Sequence, residues 1–184
     1  MDINTLTAEM SLEESPRPPK SAKREGYLKW EDYFMGTALL AAKRSKDPNC
    51  QVGACIVNRE NRIVGIGYNG MPNGCSDDTF PWDKNNKQFY VCHAEMNAIL
   101  NRNIIDLKGC TLYVSRFPCN ECAKMIIQSG ITKVYYIYDK SPNKDVYIAS
   151  KKMLEEAYVQ FEVFKSEHKT IVIDLTPPLN TNVS

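Results

Sequence analysis

His93-Ala94-Glu95 and Pro118-Cys119-Asn120-Glu121-Cys122 bring one imidazole, one carboxylate and two thiols spaced i, i+3 into a short stretch of chain. One His and two Cys are three ligands suited to zinc, and a fourth tetrahedral position left open marks a catalytic rather than a structural site. Cys119 and Cys122 fall in the first turn of a helix opened by Pro118, so both sulfurs face the same way. A helix start carries partial positive charge and free N–H groups, which favour the thiolates a metal needs. His93 stands at the start of another helix. If the two starts meet, His93, Cys119 and Cys122 hold the ion and water takes the fourth place. Zinc brings the pKa of such a water to about 7. Glu95 is not needed as a ligand and is free to carry the proton.

The combined pattern, H-x-E followed by P-C-x-x-C, is the signature of zinc deaminases. In that chemistry Glu95 takes the water proton, passes it to a ring nitrogen and later protonates the leaving amine. The reaction class is hydrolytic deamination of an amidine-like carbon. A lone C-x-x-C also fits a redox pair or half of a structural zinc knuckle, with Cys75, Cys92 or Cys110 as a further ligand. The co-occurrence of both halves of the pattern weighs against these. Cys55, Cys92 and Cys110 read as small hydrophobes packed in or beside core elements. Cys50 and Cys75 lie in loops, and Cys75 with His168 is a thin supply for a second zinc.

Elements must position these groups. Trp30–Arg44 carries Phe34, Ala38 and Ala41 at helical spacing, and Asp47-Pro48-Asn49 stops it. Val52–Asn58 and Arg62–Tyr68 are β-rich runs joined by a polar turn, which predicts a hairpin. Asn69–Val91 is a long loop, a length that inside a compact domain is usually functional. A helix over His93–Arg102 follows. Then come a strand over Thr111–Ser115, a helix over Cys119–Ser129 closed by Gly130, and a strand over Ile131–Tyr138. Val146–Ala157 reads as a helix and Gln160–Phe164 as a strand. Thr170–Leu175 is a candidate last edge strand. Alternation after a hairpin predicts an α/β sandwich with a mixed sheet.

The chain has 184 residues, enough for one domain with a real core. Its 23 basic and 22 acidic side chains leave a formal charge of +1, no electrostatic footprint for nucleic acid. No apolar window is long enough to span a membrane. Met1–Glu25 lacks an apolar signal region. Seven cysteines without an even framework point to a reducing cytoplasm with thiolates on a metal. Residues 1–26, interrupted by Pro16, Pro18 and Pro19, read as a disordered or loosely packed tail, and Lys20, Lys23 and Arg24, flanked by acidic residues, read as part of a solvated tail rather than a basic address signal. The deaminase domain spans 27–175 and a C-terminal tail 176–184.

The flanking segments carry a more specific likeness. Gln51-Val52-Gly53-Ala54, the run from Gly67 through Asn69, Asn73, Gly74 and Cys75 to Asp78, Cys92–Ile99, and Phe117–Lys124 resemble the deoxycytidylate (dCMP) deaminase family, over about Tyr27–Leu175. The resemblance implies an α/β/α three-layer sandwich around a mixed five-stranded sheet, the cytidine-deaminase fold. It implies conversion of dCMP to dUMP and ammonia, which supplies dUMP for dTTP synthesis. It also implies a homohexamer activated by dCTP and inhibited by dTTP. By motif, zinc ligands fall on His93, Cys119 and Cys122, and proton transfer on Glu95.

Other contacts are candidates. Asn69 can bond a sugar hydroxyl or base edge, or serve as a turn residue. Ala54 can present backbone to the pyrimidine, over a floor of Val52 and Gly53, or simply be core. Asn97, one helical step past Glu95, can touch substrate or lie on the helix surface. Arg102, Arg116, Lys140 and Tyr138 are candidate 5′-phosphate donors, each of which also reads as a solvated surface residue. At position 116 the resemblance leads one to expect an uncharged side chain. For the allosteric nucleotide, Asn73, Gly74, Asp77 and Asp78 lie in a loop rich in backbone donors, and the aspartates can bear on its Mg²⁺. Rivals are an editing deaminase of tRNA or DNA, a free-nucleoside deaminase and a non-catalytic zinc module.

Overall fold

A computed structural model describes residues 23–176. The expected strand tracts form a single five-stranded sheet. The strands are β1 (Gly53–Val57), β2 (Ile63–Tyr68), β3 (Thr111–Arg116), β4 (Lys133–Tyr138) and β5 (Gln160–Val163). Their spatial order is β2-β1-β3-β4-β5. β1 is antiparallel to both β2 and β3, while β3, β4 and β5 run parallel. The hairpin connects β1 to β2 through Asn58–Arg62, where Asn61 takes a positive φ of 58°. The parallel pairs need helical crossovers, and the chain supplies them.

Strand side chains alternate strictly between two cores. Ala54, Ile56, Leu112, Val114, Val134 and Tyr136 point to one face. That face is covered by α2 (Ala94–Leu100), α3 (Asn120–Gln128) and α4 (Asp145–Glu156). Cys55, Val57 and Tyr113 point to the other face, under α1 (Trp30–Ala42). Phe34, Met35 and Ala38 recur on the buried stripe of α1, as helical spacing requires. The fold is therefore an α/β/α three-layer sandwich with a mixed sheet. β1 is buried along its whole length because it is central and covered on both sides.

Helix α2 lies unusually close to β2. A methyl group on Gly67 would stand 2.3 Å from the Ala98 amide nitrogen and 2.4 Å from the Ala94 carbonyl oxygen. Only glycine admits that approach.

Several boundaries differ from the sequence reading. His93 and Cys119 are not inside their helices but cap them from outside. α1 ends two residues early at Ala42, and α2 at Leu100. The long loop contains a 3₁₀ turn at Lys87–Phe89. Thr170–Leu175 is not a strand. It runs back over α1 instead, with Ile171 Cδ1 3.3 Å from where a Gly36 Cβ would sit. The tail residues 1–22 and 177–184, with Pro16, Pro18, Pro19 and Lys20, lie outside the described residues. Among the described residues no helix is long and apolar enough to cross a membrane.

Candidate active site

Two helix starts meet at the metal-ligand cluster. His93 is the N-cap of α2 and Cys119 the N-cap of α3, both in extended backbone conformation. An N-cap side chain ordinarily accepts a hydrogen bond from its own helix. Neither does so here, which leaves the imidazole and the sulfur for another partner. The turn launching α3 is pinned from α4, where the Ser150 hydroxyl donates to the Pro118 carbonyl at 2.9 Å.

His93 Nδ1 lies 3.4 Å from Cys119 Sγ and 3.3 Å from Cys122 Sγ. The three ligand atoms all fall within 4.8 Å of one another. Tetrahedral zinc with ordinary Zn–S and Zn–N bonds requires an N···S edge of about 3.5 Å. The triad thus fits zinc without rearrangement.

Left to themselves the three groups share protons. The Cys119 thiol is drawn down to about 3, first by the Cys122 thiol and then by His93. His93 is raised to about 9, chiefly by Cys119, against the opposing effect of burial. The Cys119 hydrogen bond and burial push Cys122 well up. A thiolate beside an imidazolium is a donor set that exchanges protons for a cation. Glu95 is 4 % exposed. Burial raises its pKa, an effect partly offset by His93. A carboxyl poised to hold a proton beside the ligands is suited to shuttling one.

His93, Cys119 and Glu95 line a cavity of about 300 Å³. Lys84, Lys87, Lys140, Lys144 and Arg116 line it, against the carboxylates Asp47 and Glu95. Lys87 is already neutralised, since its ammonium bonds both oxygens of buried Asp47, one at 2.6 Å. Asp47 also accepts from the Asn49 and Cys50 amides at 2.9 and 3.1 Å. It therefore fixes the segment between α1 and β1 and ties the long loop to it. Asp47 was read from sequence only as part of a helix stop. Its signal, Asp before Pro and Asn, is the same Asx-turn chemistry.

The other sequence candidates separate by position. Asn69 lines the cavity, but its amide is engaged: it accepts from the Val52 N–H at 2.8 Å and donates to the Cys50 carbonyl at 2.9 Å. Lys140 lines the cavity from the loop after β4. Val52 lines it too, whereas Ala54 is fully buried in mid-sheet between Gly67 and Val114. Asn97 donates to the Tyr68 carbonyl at 2.7 Å, tying α2 to the end of β2. Tyr138 ends β4 beside Arg116 with an exposed ring and does not line the cavity.

Arg102 is at the wrong end of α2. Its guanidinium bonds the Ile99 and Ile105 carbonyls in a separate cavity with Leu107 and Met125. A seven-residue helix spans about 10 Å, which separates Arg102 from the His93 end. Asn73, Gly74, Asp77 and Asp78 stand apart from the cavity lining. Gly74 takes a φ of +84°, and Asp77 is paired with Lys46 while its carbonyl accepts from the Trp82 indole at 2.8 Å. Lys84, Lys87, Lys144 and Tyr147 were not anticipated, because loop and helix-start residues reach the cavity only through the tertiary fold.

Residues 28–138 match the family model for the cytidine and deoxycytidylate deaminase zinc-binding region. The Homo sapiens deoxycytidylate deaminase is 56% identical over 158 residues, covering 83% of this chain and 89% of that protein. A probable deoxycytidylate deaminase of Drosophila melanogaster is 52% identical over 180 residues, covering 92% and 89%. Among solved structures, the dCMP deaminase of cyanophage S-TIM5 in complex with dCMP and dUMP superposes with a TM-score of 0.60. It is 27% identical and covers 75% of this chain and 100% of that one.

Proposed function

The chain belongs to the cytidine and deoxycytidylate deaminase family, and from that premise we propose that it hydrolyses dCMP to dUMP and ammonia. The observation that carries this reading is the convergence of His93, Cys119 and Cys122, with His93, Cys119 and buried Glu95 lining a cavity that cations also line.

His93, Cys119 and Cys122 would hold zinc, which when bound would supply an acidified water as nucleophile. The remaining steps belong to the protein. Glu95 accepts a proton from the attacking water and delivers it to the pyrimidine N3 as oxygen bonds to C4. It then takes the proton of the new C4 hydroxyl and hands it to the amino group, which leaves as ammonia when the C4–N bond breaks. The ring keeps the N3 proton, so atoms and charge balance. Asn69 holds the cavity wall through the Val52 amide, and Ala54 and Asn97 act behind it by fixing β1, β2 and α2. Lys140 offers charge to the 5′-phosphate. Tyr138 and Arg102, outside the cavity lining, have no direct route to it.

The enzyme is cytoplasmic, a reading supported by seven unpaired cysteines. Regulation by dCTP and dTTP with Mg²⁺ at the Asn73, Gly74, Asp77 and Asp78 loop, and assembly as a homohexamer, rest on the family resemblance. The near-neutral charge disfavours nucleic acid as substrate.

The test is a competition assay. Purified protein receives dCMP, CMP, deoxycytidine and a cytosine-containing oligonucleotide together, with and without dCTP and Mg²⁺. Preferential dUMP supports the proposal, and a response to dCTP supports the regulation. Deoxyuridine, or uracil in the oligonucleotide, with dCMP untouched overturns the substrate.

A further inference from the structure

Arg116 presents a half-buried guanidinium with no carboxylate partner among the described residues. It closes β3, directly before the Phe117-Pro118-Cys119 turn, and lines the cavity. Its Nη2 donates to the Tyr147 hydroxyl at 2.6 Å, and its Nη1 contacts Cys50 Sγ at 3.5 Å. Its central carbon lies 5.7 Å from the centroid of the Tyr147 ring. The Nε is buried and meets no acceptor.

A phenol and a thiol aim a guanidinium but do not neutralise it. Burying a cation without a counter-ion costs free energy, and the fold accepts that cost here beside its metal-ligand cluster. Lys87 on the same cavity shows the opposite solution, an ammonium fully answered by Asp47. A guanidinium has five N–H donors in a planar fork, and only two are engaged. The exposed Lys140 and Lys144 on the same wall supply attraction without fixed geometry. An anion with several acceptor oxygens is the ligand that matches this fork.

We propose that Arg116 is the specificity-determining contact for the substrate's 5′-phosphate, with Tyr147 as the positioning residue that holds its guanidinium in the cavity wall. This rests on the deaminase reading above. Arg116 thereby sets the preference for the nucleotide over the nucleoside, which offers no anion.

The experiment measures kcat and KM for dCMP and for deoxycytidine in the intact enzyme and in Arg116→Leu, Arg116→Lys and Tyr147→Phe. Arg116→Leu lowers the ratio of the two kcat/KM values by about 10- to 100-fold, through the KM for dCMP. Arg116→Lys keeps the charge but not the fork and falls between. Tyr147→Phe lowers the ratio several-fold with kcat for dCMP nearly kept. Metal content confirms folding. Should Arg116→Leu not fold, titration of Arg116→Lys and the intact enzyme with dUMP and deoxyuridine reads the same preference as binding. An unchanged ratio in the Arg116 variants, while the intact enzyme prefers dCMP, overturns this assignment and leaves the function standing. An intact enzyme with no preference for dCMP overturns both.

Discussion

Gly67→Ala tests whether the spacing between β2 and α2 sets the catalytic geometry. The added methyl would sit 2.3 Å from the Ala98 nitrogen and 2.4 Å from the Ala94 oxygen. Carbon needs about 3.4 Å or more from either, so α2 must withdraw by about 1 Å. The opposing atoms are backbone, so no side chain can swing aside, and the cost lies near the top of the overpacking range, about 3 kcal/mol. For a chain of this size that is a fall in Tm of about 6–12 °C. His93 caps α2 and Glu95 sits in its first turn, whereas Cys119 caps α3 and Cys122 sits in its first turn. A 1 Å shift between the helices costs about 10²-fold in turnover. The control is Gly36→Ala in α1, where the new methyl meets only the tip of Ile171 at 3.3 Å. There helix propensity gains up to about 1 kcal/mol and turnover is unchanged. Thermal melts, bound zinc and steady-state kinetics on both variants decide the matter. A Gly67→Ala protein with unaltered Tm and turnover would show that the β2–α2 spacing does not set the geometry of the site.

Glu95→Gln keeps shape and removes the proposed proton carrier, so turnover drops by about 10²- to 10⁴-fold while zinc content and fold persist; undiminished turnover excludes Glu95 from the chemistry. Lys87→Met strands the Asp47 carboxylate, which keeps the Asn49 and Cys50 amides. With those donors left, the loss is about 3 kcal/mol, the low end for a broken buried pair, and urea midpoints that do not move would contradict it. Burial pushes the Cys55 thiol up to about 12. Its folded pKa exceeds the unfolded value, so the unfolded chain releases the proton first as pH rises. Stability is therefore lost from the ordinary thiol range up to about 12, at about 1.4 kcal/mol per pH unit for this group. Cys55→Ala flattens the alkaline limb between about pH 9 and 11; parallel limbs in urea unfolding count against the assignment.

The clustering of His93, Cys119 and Cys122 was legible because its information is local. Pro118 opening a helix and Cys at i, i+3 fix where two sulfurs go, and His93 needs only a helix start. Strand alternation was legible for the same reason, since Ala54 and Ile56 against Cys55 and Val57 follow from a period of two. The cavity wall was not. Lys87 and Tyr147 reach the site through tertiary packing that no spacing encodes. Arg102 shows the converse, a cation close in sequence to the ligands and set apart by the length of α2. Thr170–Leu175 has strand composition, yet it joins no strand and stays exposed, with Ile171 Cδ1 the atom that reaches Gly36 of α1.

The meeting of two helix starts has a mechanical consequence. An ion held by His93, Cys119 and Cys122 is a cross-link that closes a loop of 26 residues between His93 and Cys119. By the chain-entropy relation for covalent bridges, such a closure removes about 3.5 kcal/mol of freedom from the unfolded chain. Such an ion would then also be a staple, fastening α2 to α3 much as a disulfide would in an oxidising compartment. On the proposed mechanism, a molecule stripped of such an ion would lose catalysis and restraint together, so an inactive copy would also be the more easily unfolded and degraded one.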